Sequence, residues 1–246
     1  MATLPEIYSE ALGMPASLAA RLEHYADGLK AHAPELAAGY GALVERLRTA
    51  AAGAGVPDIG DGFPDFVLPD EAGALVASNR LLGRGSLVVS FNRGHWCSFC
   101  KLELATLSRI VTEIAALGAS IVSITPERNA YCRRFKADAG FAGPVLSDVD
   151  LATALSLGLA IPVGEPLEKL LSAIDVPLPV FHGTSSWLLP IPATFVIAAD
   201  GVIAARFVDA DFRHRMEPEA ILDALRRLKS VQPNAAPEAP AAHRPD

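Results

Sequence analysis

Apolar residues in the first fifty positions recur at helical spacing: Leu18, Leu22, Tyr25 and Leu29, then Leu36, Tyr40, Leu43 and Leu47, with Pro34 between the two sets. The spacing predicts two or three amphipathic helices within residues 1–52. Their apolar stripes could pack on the rest of the chain or on another subunit. Residues 53–57 run from Gly53 to Pro57 and read as a linker. The period then shortens. Phe63-Pro64-Asp65-Phe66-Val67-Leu68, a Glu71-Ala72-Gly73 turn and Ala74-Leu75-Val76 predict a small β-hairpin. The unbroken apolar run 86–91 predicts a strand buried on both faces. Residues 98–117 return to helical spacing through Phe99, Leu102, Leu107, Ile110 and Ile114, and Gly118 supplies the stop. A second buried strand is expected at 119–125, a helix around 127–140 ending at Gly140, and a short strand at Val145-Leu146.

Strand–helix–strand spacing of this length implies a right-handed parallel crossover. Residues 151–190 carry five prolines and read as irregular with short helical stretches. Runs at 194–197 and 202–208 flank Asp200-Gly201, a hairpin signal, and 217–229 is a last amphipathic helix. The Pro- and Ala-rich stretch 231–246 has little to bury and is expected to be disordered. The order predicts an α/β protein with a mixed central sheet, helices on both faces and a helical N-terminal extension. Three regions follow: a helical extension (1–52), a main α/β domain (57–230) and a tail (231–246).

Composition narrows the classes. The 246 residues are 51% hydrophobic and 20% charged, enough for a full core. A formal charge of −7 argues against nucleic acid as a partner, because phosphate contact needs clustered Lys and Arg. No apolar run reaches the roughly 18–20 residues of a membrane span. The start, Met1-Ala2-Thr3-Leu4-Pro5-Glu6, lacks the basic and apolar stretches of a secretory signal. A cytoplasmic protein with no membrane partner is expected. The cysteines, Cys97, Cys100 and Cys132, are three in number, a poor disulfide framework. Structural zinc wants four N or S ligands, and no second Cys or His pair accompanies Cys97 and Cys100. A redox dithiol is favoured over a zinc module, and neither a metal nor a cofactor is expected.

The densest chemistry is Arg93-Gly94-His95-Trp96-Cys97-Ser98-Phe99-Cys100-Lys101-Leu102-Glu103, between the predicted strand and helix. A thiol at a helix start meets the positive end of the helix dipole and free N–H groups, which stabilises its thiolate. A second thiol one turn on can close a disulfide with it. Cys97, at the helix entrance, is expected to be more exposed than Cys100 and to be the attacking thiol, with Arg93 and His95 as sources of nearby positive charge.

Trp96-Cys97-x-x-Cys100 at a strand-to-helix junction, with Pro192-Ala193-Thr194-Phe195 opening a later strand, resembles the thioredoxin superfamily. Phe63-Pro64-Asp65-Phe66, Arg93-Gly94-x-Trp96-Cys97-x-x-Cys100-x-x-Glu103-Leu104 and Leu189-Pro190-Ile191-Pro192-Ala193-Thr194-Phe195-Val196-Ile197 narrow the resemblance to the AhpC/TSA group, in its peroxiredoxin-like branch. It covers roughly residues 57–229 and implies a thioredoxin-like fold and thiol chemistry. Laid on the peroxiredoxin pattern P-x-x-x-T-x-x-C-x-x-E, Cys100 takes the peroxidatic position and Glu103 that of the Glu. Arg93 stands at the Pro position, Cys97 at the Thr position and Pro192 at that of a later Arg. Those Thr and Arg side chains orient the peroxide in the pattern, whereas Cys97 and Pro192 are what a thioredoxin-type site carries there. The resemblance implies a cis peptide before Pro192; the plain alternative is an ordinary proline at a strand start.

Other residues keep two readings. Arg93 serves the site or pairs with a surface carboxylate. His95 reads as a solvated loop residue or as pocket lining. Trp96 covers the site. Glu103 is a solvated helix carboxylate or a proton-transfer group. His182 and Trp187 line the pocket or fill the loop before Pro192. Cys132, between Tyr131 and Phe135 in sequence terms of a helix face, is taken as a buried inert thiol, with a second resolving thiol as the other reading. The expected function is a thiol-dependent oxidoreductase that cycles a Cys97/Cys100 dithiol and disulfide. It would reduce a hydroperoxide or a disulfide at the expense of a thioredoxin- or glutathione-type reductant, as a monomer or homodimer. The rival is a redox-sensing or binding protein whose disulfide changes a surface without turnover.

Overall fold

The computed structural model describes residues 3–231. The expected disordered tail lies, except for its first residue, outside the described residues. Three helices come first: α1 (Leu4–Gly13), α2 (Leu18–His32) and α3 (Pro34–Thr49). Ser17 caps α2 by accepting from the Ala20 amide, and Pro34 opens α3 at the position where its missing N–H costs nothing. The hairpin follows as β1 (Val67–Pro69) and β2 (Leu75–Ala77), then α4 (Ser78–Leu82), β3 (Ser86–Phe91), α5 (Ser98–Ser108), α6 (Val111–Ala116), β4 (Ala119–Thr125), α7 (Asn129–Ala139) and β5 (Val145–Ser147). The proline-rich stretch holds α8 (Ala152–Ser156), β6 (Ala160–Pro162), α9 (Glu165–Ala173), α10 (Leu178–His182) and β7 (Leu188–Pro190). The chain closes through β8 (Ala193–Ile197), β9 (Ile203–Val208) and α11 (Pro218–Val231).

The main sheet has five strands in the order β5-β4-β3-β8-β9. β3 pairs parallel with β4 and antiparallel with β8, so it is central and buried on both faces, as its apolar run requires. β1–β2 and β6–β7 form separate two-stranded ribbons. The insert is therefore more regular than its prolines suggest: β6 and β7 pair through Ile161 and Leu189, both buried. The helix expected over 98–117 is broken. Amides of Arg109 and Ile110 bond back only three residues, to Thr106 and Leu107, which tightens the chain and separates α5 from α6. No Gly or Pro marks that break.

The N-terminal helices pack on the same chain: α1 and α2 against α5, and α3 against α9. Their stripes bury Leu18, Leu22, Tyr25, Leu29, Tyr40, Leu43, Val44 and Leu47. Both carboxylate oxygens of Glu217, just before α11, accept amides from the first turn of α2, at 3.0 Å from Leu18 and 2.7 Å from Ala19. The two ends of the fold thus meet beside α5. Among the described residues, no helix is long and apolar enough to cross a membrane.

Candidate active site

The central strand delivers the site. Beyond Phe91 the chain leaves the sheet at Asn92, whose amide still bonds Ile124 O, and Cys97 becomes the residue that caps α5. The connecting turn is fixed from below by Glu127. Its carboxylate accepts the His95 amide at 2.8 Å and meets His95 Nδ1 at 2.7 Å. Gly94 adopts φ +131°, and a Cβ there would stand 2.5 Å from the same carboxylate, so only glycine fits. His95 stacks on Tyr131 and meets Phe181 edge-on, and is buried rather than solvated.

Cys97 and Cys100 are 3% and 0% exposed, in the expected order but both buried, and both are free thiols. The Arg93 amide approaches Cys100 Sγ at 3.4 Å. Burial pushes the Cys97 thiol up, but the Cys100 thiol and the guanidiniums of Arg93 and Arg215 outweigh it and bring it down to about 6. Burial, followed by the bond with Cys97, pushes Cys100 well up. One proton is therefore shared by the pair: the charge of the arginines favours ionisation at Cys97, while the Arg93 amide and Arg215 Nη2 point their N–H groups at Cys100 Sγ. Because the folded value of Cys97 lies below that of a free thiol, its ionised form fades as pH falls through about 6. Absorbance at 240 nm of the reduced protein is expected to fall with a midpoint near that pH; a midpoint at an ordinary thiol value would show that the arginines do not act on Cys97.

Arg215 was not anticipated from sequence. It lies in the segment after β9, and its Nε donates to Glu103 Oε2 at 2.6 Å while Nη2 reaches Cys100 Sγ at 3.5 Å. Nη1 donates to the carbonyls of Phe212 and His214. An arginine thus stands on the dithiol although Pro192 occupies the position the pattern reserves for one. Glu103 is no solvated carboxylate: it is 1% exposed, and Ser90 and Thr194 hydroxyls donate to its Oε1 at 3.4 and 3.3 Å. Burial pushes it up to about 7 while Arg215 pulls it down. Donors on both oxygens, one of them a guanidinium at 2.6 Å, fit the ionised carboxylate, so we read an ion pair at neutral pH.

Arg93 makes no surface ion pair. It is 2% exposed, and its guanidinium carbon lies 3.9 Å from the ring centre of Phe212, 4.8 Å from Trp96 and 5.1 Å from Tyr40. The Tyr40 hydroxyl faces the guanidinium as an acceptor, while Nε, Nη1 and Nη2 meet no well-aligned partner among the described residues. Each cation–π contact is worth about 0.5–2 kcal/mol, against several kcal/mol to bury an unpaired charge. The cage alone does not balance that cost; the Cys97 thiolate, whose ionisation Arg93 favours, supplies opposite charge.

Other expectations are corrected. There is no cis peptide among the described residues, so Pro192 is trans. Ile191 N–H bonds Leu159 O, extending the β6–β7 pairing, and the chain runs on extended into β8 in the ordinary isomer. Trp187 lines a shallow groove with Glu165, Glu168 and Lys169 of α9 rather than a cavity at the cysteines. His182 is buried in α10; neither ring nitrogen has a partner among the described residues, and burial pushes it down to about 4, so it is neutral. Cys132 donates to Glu127 O at 3.2 Å, and burial pushes its thiol up to about 12, the properties of an inert thiol. Trp96 meets the site through its contact with the Arg93 guanidinium.

A paired thiol at the carboxyl end of the central strand of a β5-β4-β3-β8-β9 sheet defines a thioredoxin-like thiol protein. The chain belongs to the AhpC/TSA family, whose model matches residues 59–206. Members of that family are thiol-dependent peroxidases. Among solved structures, peroxidoxin BcpB of Mycobacterium tuberculosis is similar at 24% identity and TM-score 0.54, covering 69% of this chain and 96% of that one. Reduced Prx3 of Vibrio vulnificus, in complex with hydrogen peroxide, is similar at 18% identity and TM-score 0.53, covering 69% and 99%. A peroxiredoxin 6 variant of Arenicola marina is similar at 16% identity and TM-score 0.53, covering 71% and 73%. At these identities the likeness is one of fold. No curated protein sequence matches the chain.

Proposed function

We propose that the chain reduces hydroperoxides through a Cys97/Cys100 dithiol–disulfide cycle. The observation that carries this reading is the charge arrangement: two buried guanidiniums converge on the thiol pair, and one carboxylate, Glu103, is engaged with only one of them. The Cys97 thiolate attacks the nearer peroxide oxygen; the S–O bond forms, the O–O bond breaks, and the alkoxide or hydroxide takes a proton to leave as alcohol or water. Cys100 then attacks the Cys97 sulfenic sulfur, its proton leaves with the hydroxyl as water, and the disulfide closes. An external thiol of thioredoxin or glutathione type returns two electrons and two protons.

Two features support peroxide over a protein disulfide as acceptor. Arg215 restores an arginine to the thiol pair. Both sulfurs are nearly enclosed, which suits a two-atom oxidant better than a sulfur held in another chain. The test is titration of the reduced protein with hydrogen peroxide. One equivalent is expected to remove two thiols and yield a peptide pair linked Cys97–Cys100 by mass spectrometry, and added thiol reductant is expected to sustain repeated turnover. A single oxidation without turnover would favour the sensor; a disulfide involving Cys132 would overturn the assignment.

A further inference from the structure

We propose that Tyr40 of α3 is a positioning residue of the thiol site: its side chain directs the Arg93 guanidinium toward Cys97, so that the helical extension forms part of the site. This rests on the dithiol reading above and adds the residue that orients the charge.

Tyr40 lies outside the segment that carries the family's pattern, since the family model matches residues 59–206. It stands on the buried stripe of α3, with Leu43, Val44 and Leu47 following at helical spacing. That stripe packs α3 onto the body of the chain, and Arg46 ties the helix down by donating from Nη2 to Val163 O at 2.9 Å. The Tyr40 ring meets Phe212 edge-on with 5.0 Å between centres. Tyr40 is therefore a fixed wall.

Arg93 needs such a wall. Its guanidinium is buried among Phe212, Trp96 and Tyr40. A ring face attracts a cation but does not fix the direction of its N–H groups. Phe212 has no polar side-chain atom, and the indole of Trp96 is a donor, as the guanidinium is. Of the three rings, Tyr40 alone carries an acceptor, and its hydroxyl faces the guanidinium. Tyr40 thus sets which way the fork points.

Both residues stand beside Cys97. Against the upward push of burial, Cys100 and Arg93 bring the Cys97 thiol down. Burial pushes the Tyr40 hydroxyl up, so it stays a neutral acceptor while the thiols titrate. The other ionisable groups around Cys97 are Cys100 of α5, Arg215 after β9 and Tyr25 of α2, with Glu103 on the far side of Arg215. Arg215 is held by Glu103 and by two carbonyls without help from Tyr40. Loss of the Tyr40 hydroxyl therefore frees Arg93 and leaves Arg215 in place.

The test is the pH dependence of Cys97 alkylation by iodoacetamide in the reduced full-length protein, assigned by peptide mass. Wild type is expected to show a midpoint at about 6. Tyr40→Phe keeps the ring and loses the hydroxyl. It is expected to raise the midpoint by about one pH unit, the low end of what an opposite charge within a few ångströms supplies. Arg93→Met is expected to raise it at least as far, and the double variant no further than Arg93→Met alone. Arg93→Gln serves the same cycle should Arg93→Met fail to fold. Val44→Ala weakens α3 at a buried position outside the aromatic cage, and is expected to leave the midpoint in place. An unmoved midpoint in Tyr40→Phe, additive shifts in the double variant, or an equal shift in Val44→Ala would overturn the proposal. Wild-type protein that shows the low midpoint but does not react with hydrogen peroxide would instead sink the peroxidatic reading, while the midpoints still decide the role of Tyr40.

Discussion

Cys97→Ser protein is expected to lose peroxide turnover by at least about 1,000-fold, the scale of removing a covalent nucleophile. Cys100→Ser protein is expected to behave differently. It should react once with peroxide at a rate near wild type, accumulate sulfenic acid on Cys97, and stop, because no thiol follows one turn along α5 to close the disulfide. Excess peroxide should then drive Cys97 to the sulfinic form, seen as a gain of two oxygens in the mass of its peptide. The asymmetry has a physical source. Cys97 sits at the open end of α5 with its thiol lowered by Cys100, Arg93 and Arg215, while Cys100 is fully enclosed and pushed up. The opposite outcome, in which Cys100→Ser loses the first oxidation and Cys97→Ser keeps it, would make Cys100 the attacking thiol, the position it takes in the peroxiredoxin pattern.

The second large effect is on stability. Glu103→Ala leaves the Arg215 guanidinium buried without its carboxylate, and breaking one side of a buried ion pair costs about 3–5 kcal/mol. For a chain of this length about 2–4 °C of Tm is lost per kcal/mol, so a fall of about 6–20 °C is expected. Thermal unfolding of the reduced protein followed by circular dichroism measures it. Replacing Glu103 and Arg215 together by apolar residues should recover part of the loss, since no charge is then stranded. A single-variant fall of less than 2 °C would mean that the pair is hydrated and contributes little.

Sequence legibility followed the range of the interactions concerned. The strand run 86–91, the helix entrance at Cys97 and the Gly140 stop were readable because each depends on neighbours in the chain. The dithiol was readable for the same reason. Arg215 was not, because 112 residues separate it from Glu103 and nothing in Phe212-Arg213-His214-Arg215 distinguishes one arginine from another. Arg213 pairs with Asp211 in the same turn, an equally plausible sequence partner. His95 and Glu103 looked like surface groups because their partners, Glu127 and Arg215, arrive from other elements. The α5–α6 break left no residue signature, being made by a change of hydrogen-bond spacing within a helical pattern.

The contact between Glu217 and the first turn of α2 bears on when the chemistry begins. A polypeptide leaving the ribosome exposes Cys97 and Cys100 long before it exposes Phe212, Arg215 and Glu217. Until those last residues emerge, Arg93 lacks one wall of its cage, Glu103 lacks its cation, and α2 lacks the carboxylate that caps it. A chain that has not yet reached these residues holds its two thiols without the Arg215 guanidinium beside them. Emergence of residues 212–217, rather than formation of the motif that holds the cysteines, thus completes the charged surroundings of the thiols.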